Sequence, residues 1–231
     1  MPNNFFRFKR FTIYQDRCAM KVGTDGSLLA AWADIPQATS ARILDIGTGT
    51  GLIAIMMAQR APLAEITGID IDADAASQAR ENAASSPFAN RIRIANIALQ
   101  NIEDEVYDAI VCNPPYFIDS LKCPDKQRSI ARHASELTFE RLMSDAFRLL
   151  DDAGEISVIV PADAKQQMDS ASAIAGLHPK RICFVKTSPS KNPKRVLLSY
   201  GKQWHNTVEN NTIIIGDERY KTILKDFYLN F

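Results

Sequence analysis

Ala41-Arg42-Ile43-Leu44-Asp45-Ile46-Gly47-Thr48-Gly49-Thr50-Gly51 runs from an apolar strand straight into three alternating glycines. Leu52 to Arg60, rich in Ile, Met and Ala, then reads as a helix. Strand, glycine loop and helix open a doubly wound nucleotide-binding unit, in which glycines admit a ligand close to the backbone and the helix start offers free N–H donors. The spacing is not that of a dinucleotide site, where glycines run G-x-G-x-x-G and a pyrophosphate sits on the helix end. Here Asp45 stands ahead of Gly47, Gly49 and Gly51. A carboxylate at that place disfavours a phosphate and suits a cationic group such as an amino acid ammonium.

Outward from this loop, Glu65 to Asp70 reads as a second strand ending in an acid. An acid roughly 20 residues beyond a glycine loop typically accepts ribose hydroxyls. Asp72 suits the cap of a helix from Ala73 to Ala84. Arg91 to Ile94 and Tyr107 to Cys112 read as the third and fourth strands. The fourth runs into Asn113-Pro114-Pro115-Tyr116. Two prolines donate no backbone N–H and fix φ, so the chain makes a stiff turn there. Asn113 Oδ1 and a proline carbonyl can accept the two hydrogens of a planar –NH2 group, and Tyr116 can stack on its face. Taken alone, the tetrapeptide also fits an ordinary loop after a strand.

The polar segment from there to about Ser135 carries Lys122, Lys126, Arg128, Arg132 and His133 and reads as an active-site lid. A helix from Phe139 to Leu150, a strand from Glu155 to Val160 and a helix from Ala162 to Ala175 follow. Strands near Arg181–Lys186 and Arg195–Tyr200, a short apolar run at Ile213–Ile215 and a helix from Glu218 to Tyr228 complete the chain.

A length of 231 residues suits one α/β domain with a short extension. The expectation is a single domain over 1–231, with 1–40 an N-terminal extension carrying part of the site. The four cysteines form no CxxC pair, the three histidines are scattered, and no metal is expected. Reduced thiols and an N-terminus without an apolar h-region point to the cytoplasm. No apolar run approaches a membrane span. Net charge is zero, which argues against a protein that coats nucleic acid, yet no Asp or Glu occurs from Ser170 to Val208. Lys194 and Arg195 lie in that stretch, and Phe8, Lys9 and Arg10 in an aromatic-basic alternation near the start. These residues fit a basic face for a polyanion, and fit solvated surface equally.

Asp45-x-Gly47-x-Gly49-x-Gly51, Asp70 and Asn113-Pro114-Pro115-Tyr116, in this order at strand ends, resemble a class I S-adenosyl-L-methionine-dependent methyltransferase of the amino-methylating kind. That resemblance implies a Rossmann-like fold: a seven-stranded, mostly parallel sheet with helices on both faces and a reversed last strand. Phe8-Lys9-Arg10-Phe11, Met20 to Gly26, Ala131-Arg132-His133, Pro193-Lys194-Arg195 and the ending Leu224 to Leu229 narrow it. Those pieces resemble the bacterial valine-tRNA adenine N6-methyltransferases, which modify the adenine just 3′ of the anticodon. The resemblance implies Asn113, Pro114 and Tyr116 as catalytic residues. It implies Lys21, Thr24, Asp25, Asp45, Gly47, Gly49, Gly51, Asp70, Ile71, Asn96, Ala98 and Asn113 around the cofactor, S-adenosyl-L-methionine. Phe8, Lys9, Arg10, Arg132, His133, Lys194 and Arg195 would meet tRNA at the anticodon loop, with the chain acting as a monomer. Relatives often carry an Asp for the cofactor's adenine amino group, and the matching position here is Ala98, so Asn96 or a backbone carbonyl would substitute. Methylation of rRNA guanine N2, DNA adenine N6 or release-factor glutamine stays open as an alternative, because each acceptor is a planar amine. A silent cofactor-binding RNA partner is the non-enzymatic alternative.

Overall fold

The computed structural model of the chain describes residues 4–18, 20–37, 40–103, 105–114 and 137–230. In chain order these form β1 (Phe5–Arg7), β2 (Thr12–Tyr14), α1 (Thr24–Trp32), β3 (Arg42–Ile46), α2 (Leu52–Arg60), β4 (Glu65–Asp70) and α3 (Ala73–Ala84). There follow β5 (Ile92–Asn96), β6 (Tyr107–Cys112), α4 (Phe139–Leu149), β7 (Leu150–Pro161), α5 (Lys165–Ile174), β8 (His178–Lys186), β9 (Arg195–Gly201), β10 (Glu209–Ile214) and α6 (Glu218–Leu224). Pro115, Tyr116, the expected lid, Arg132 and His133 fall outside the described residues.

Strands β3 to β10 make one sheet in the order β10-β8-β9-β7-β6-β3-β4-β5. All neighbouring pairs are parallel except those of β9, which runs against β7 and β8. The seven strands of a class I sheet are present, the reversed one being β9. An eighth, β10, is added beside β8. Period-two alternation decides which face each residue serves. Ile43, Ala109, Val111, Ile159, Val185 and Leu197 point into one core layer with α1 and α2. Leu44, Ile46, Ile110, Val158, Val196 and Leu198 point into the other, with α4 and α5. Both faces are covered, as a parallel sheet requires.

Several helix ends are closed by side chains. Asp72 Oδ1 accepts from Asp74 N and Ala75 N, capping α3 as its position in the sequence suggests. The C-terminal carbonyls of α1 meet Arg60, whose Nη1 donates to Ala30 O (2.6 Å) and Ala33 O (2.8 Å). Arg91 does the same for α2 through Ala58, Ala61 and Ala64. A guanidinium is well suited to this, having five donors in one plane.

The N-terminal stretch is core, which corrects its reading as an extension. β1 and β2 pair as a hairpin, and Phe8, Phe11 and Ile13 are buried among Leu28, Leu29, Tyr220, Leu224 and Phe227. Phe8 is 1% exposed and stacks on Phe11 and Tyr228. It therefore offers no face to a base. Lys9 donates to Lys225 O and Phe227 O, and Arg10 lies 5.0 Å over the Phe88 ring. Phe88 sits just ahead of β5, at the opposite edge of the sheet from the glycine loop. The aromatic-basic alternation thus serves packing, with each cation bound over a ring or a helix end.

Phe8→Ala should lower unfolding free energy by about 3–5 kcal/mol, the usual result of emptying a buried Phe site. Urea denaturation of the variant checks this, because a solvated RNA-contacting Phe would lose less than about 0.5 kcal/mol.

Candidate active site

The register of the central strands sets the geometry. Ile46 pairs with Ile69 on one side and Cys112 on the other, while Asp70 pairs with Asn96. Gly47, Asp70, Asn96 and Asn113 therefore stand level at the carboxyl edge. Strand order reverses between β3 and β6, the switch point at which open α/β sheets bind ligands.

Gly47, Gly49 and Gly51 all adopt positive φ (67°, 56° and 81°). That alternation lets the loop curl over the end of β3, a conformation that disfavours any side chain. A Cβ at Gly47 would meet nothing, so the loop's outer side is open, whereas a Cβ at Gly51 would stand 3.3 Å from Ala79 Cα. The open side has room for a ligand against the backbone.

Asp45 lies behind the loop. It is 0% exposed, and its Oδ2 accepts from Thr48 Oγ1 (2.6 Å) and Ala54 N (3.1 Å). Oδ1 has no hydrogen-bond partner among the described residues. Burial pushes the carboxyl up to about 7, against the pull of the two hydrogen bonds and with a small further push from Asp70. Both oxygens are buried, and the two hydrogen bonds to Oδ2 brace the glycine turn against the start of α2. Thr48 completes the brace by donating its N–H to Ile69 O (2.9 Å). Gly68 makes room for it: a Cβ there would stand 2.8 Å from Thr48 Oγ1 and 2.7 Å from Ile94 Cδ1. Neither residue carries a local sign of this role beyond the glycine inside a strand, which signals close approach.

Asp70 is half-buried; its Oδ2 accepts from Gly49 N (2.9 Å) and its Oδ1 from Asp72 N (2.9 Å). Each oxygen keeps a lone pair for a hydroxyl. Ile71 next to it is 65% exposed, an apolar surface beside the carboxylate. Asn96 donates Nδ2 to Asp70 O (2.9 Å), and its Oδ1 makes no hydrogen bond among the described residues. Ala98 precedes a short 3-10 turn and spends its carbonyl on Asn101 N.

Asn113 is half-buried at the end of β6 and Pro114 is buried. Asn113 Nδ2 lies 3.7 Å from Met20 Sδ, so the segment leading into α1 reaches the same point. Lys21 is exposed, Thr24 opens α1, and Asp25 Oδ2 accepts from Arg195 Nε at 2.7 Å. Lys194, next to it on the loop before β9, is exposed. The carboxyl edge thus gathers Lys21, Thr24, Asp25, Asp45, the three glycines, Asp70, Ile71, Asn96, Ala98, Asn113, Lys194 and Arg195. Phe8, Lys9 and Arg10 lie elsewhere. No cluster of three His, Cys, Asp or Glu suited to a metal occurs among the described residues, and no helix among them is long and apolar enough to cross a membrane.

Comparison with known proteins agrees with this architecture. Residues 21–175 match the model of the methyltransferase small domain. A tRNA1(Val) (adenine(37)-N6)-methyltransferase from Phocaeicola vulgatus is 51% identical, with all of both chains covered. One from Trichodesmium erythraeum is 41% identical, again over all of both. The chain belongs to this family. Among solved structures, the precorrin-6y C5,15-methyltransferase of Geobacter metallireducens is 14% identical over 82% of this chain and 97% of that one, with a TM-score of 0.57. The ribosomal protein L11 methylase of Lactobacillus delbrueckii subsp. bulgaricus is 16% identical over 78% and 77%, at 0.54. These two share the class I methyltransferase fold.

A carboxyl raised by burial binds its proton more tightly folded than unfolded. Through Asp45, stability of the ligand-free protein should therefore fall as pH rises from about 4 to about 7, then level off. Asp45→Asn removes this dependence. Unfolding curves at both pH values should show the variant gaining on the native chain by a few kcal/mol, to order of magnitude.

Proposed function

We propose that this chain transfers a methyl group from S-adenosyl-L-methionine to the exocyclic N6 of adenine 37 in valine tRNA, the reaction its relatives are named for. The observation that carries the reading is the level register of Gly47, Asp70 and Asn113 at the switch point. It holds a nucleoside site and an amine acceptor on neighbouring strands.

The residues present fit the cofactor. Asp70 takes the ribose hydroxyls, and the open side of Gly47 and Gly49 takes the amino-acid part, with Lys21, Thr24 and Asp25 at the start of α1 alongside. Ile71 would give the adenine an apolar platform, and Asn96 Oδ1 would accept from the adenine amino group where many relatives use an acid. The cofactor supplies an electrophilic methyl on a sulfonium. An adenine amine is a weak nucleophile, its lone pair being delocalised into the ring. Asn113 Oδ1 and the Pro114 carbonyl would accept its two N–H bonds and hold the nitrogen in place for transfer. Positive charge growing on that nitrogen during methyl transfer would strengthen its hydrogen bonds to these two oxygens. The surplus proton then leaves to solvent. Tyr116 would stack on the flipped base, a contact worth about 1–3 kcal/mol in comparable cases.

Charge divides along the edge in a way that suits RNA. Asp70, Asp72 and Asp74 stand on the β4 side, while Lys186, Lys191 and Lys194 stand at the ends of β8 and β9. We assign the phosphate contacts to that basic side, with Lys194 as a direct contact. Arg195 is shared with Asp25 and acts less directly.

Asn113→Ala should lower methyl transfer to tRNA at least about a hundredfold, while calorimetric binding of S-adenosylmethionine survives within about threefold. Asp70→Ala should do the reverse, weakening cofactor binding first. Transfer near the native rate in Asn113→Ala refutes the acceptor role. Lys191→Glu with Lys194→Glu should weaken tRNA binding and reduce the slope of log affinity against log salt by about 2. An unchanged slope moves the RNA backbone to another face.

A further inference from the structure

Three buried side-chain amides outside the recognised motifs direct their hydrogen bonds at one stretch of main chain. Asn82 on α3 is 0% exposed. Its Nδ2 donates to Tyr14 O (2.8 Å) and to Thr50 O (2.8 Å), and its Oδ1 accepts from Tyr14 N (2.9 Å). One side chain therefore pairs with Tyr14 as a neighbouring strand would, and binds the glycine loop with its remaining hydrogen. Gln78, one turn earlier on the same helix face, accepts from Arg17 N (3.3 Å). Gln15 turns inward and accepts from Val22 N (2.8 Å). Gln15 and Gln78 are also buried.

These anchors fix the main chain at Tyr14, Arg17 and Val22. Two side chains between them reach the active site. Cys18 lies close enough to Asp70 and Asp72 that their charges, after burial, help push its thiol up to about 11. Met20 Sδ stands 3.7 Å from Asn113 Nδ2. Beyond Val22 the chain enters α1, where Asp25 meets Arg195 at the head of β9. Tyr14, Arg17, Cys18, Met20 and Asp25 thus mark a line along the carboxyl edge from α3 past β4 and β6 to β9.

We infer that Asn82 is a positioning residue for the cofactor site. By holding Tyr14 and Thr50 at once, it fixes the separation between the glycine loop and the segment that carries Cys18 and Met20. That separation is the width of the slot for the cofactor's amino-acid part. The inference rests on the cofactor reading above. Asn82 touches neither reacting group, so its loss should act on cofactor affinity far more than on the chemical step.

Asn82→Asp tests this. The variant keeps size and one acceptor but loses both donors and sets a carboxylate against two carbonyl oxygens. Calorimetric titration of the full-length chain should show S-adenosylmethionine binding weaker by about tenfold or more. The kcat for tRNA at saturating cofactor should stay within about threefold of native. Hydrogen exchange should speed up at Tyr14, Arg17 and Val22, while Ile43 and Leu44 in β3 stay protected. Gln78→Leu, which removes one acceptor from a buried site, should show the same pattern to a smaller degree and carries the test if Asn82→Asp does not fold. Native cofactor affinity in a variant whose Tyr14 or Arg17 amide exchanges freely overturns the inference. So does loss of affinity and kcat together with β3 protection, which marks a merely structural residue. A native chain that binds no S-adenosylmethionine overturns the cofactor reading itself, a result distinct from native binding with an unaffected variant.

Discussion

Everything at the carboxyl edge depends on the pairing of Ile46 with both Ile69 and Cys112. A parallel ladder that slips by one residue turns every side chain to the opposite face. Here a slip of β3 would exchange Ile43 with Leu44 between two different core layers and carry Asp45 out of its closed pocket. The register is thus held by packing on both faces of the sheet, within a few residues of the groups whose height it sets. Gly47, Asp70 and Asn113 stand level because the hydrophobic alternation beneath them allows one alignment.

Much of the site is built from behind. Asp45 and Thr48 brace the glycine turn from inside, Gly68 gives Thr48 its space, and Ala79 closes on Gly51. The groups that do face outward, Asp70, Ile71, Asn96 and Asn113, inherit their positions from this inner layer. Preorganisation of this kind lets acceptors meet a developing charge without rearranging at the moment of reaction. It also explains a buried carboxylate kept despite its desolvation cost. Its two hydrogen bonds tie the end of β3 to the start of α2, and so hold the turn between them.

The N-terminal region does two jobs that are separate in space. Its hairpin turn packs Phe8 and Phe11 against the C-terminal residues Phe227 and Tyr228, near the amino edge of the sheet. Its continuation, anchored through Asn82, Gln78 and Gln15, borders the site at the other edge. A short stretch can do both because a hairpin strand and an extended segment together span the height of the sheet.

Local residue pattern alone determined most elements. β4, β6, α2 and α3 begin and end where apolar periodicity, the glycine loop and Asp72 place them. The class of chemistry was legible in the same way, because alternating glycines, an acid at the next strand end and a stiff Asn-Pro turn each act through neighbours in the chain. Other features were decided by contacts between residues far apart in sequence. Phe8-Lys9-Arg10 reads identically as a base-stacking arm or as a packed corner, and only Tyr228, Lys225 and Phe88 choose the corner. Arg195 reads as a free cation until Asp25, 170 residues away, pairs with it. Asn82 and Gln78 read as ordinary polar helix residues, since a side-chain amide carries no local sign of which distant backbone it will bind. Glycine conformation and strand alternation are properties of a few adjacent residues, whereas burial, pairing and the spacing of a slot belong to the assembled chain.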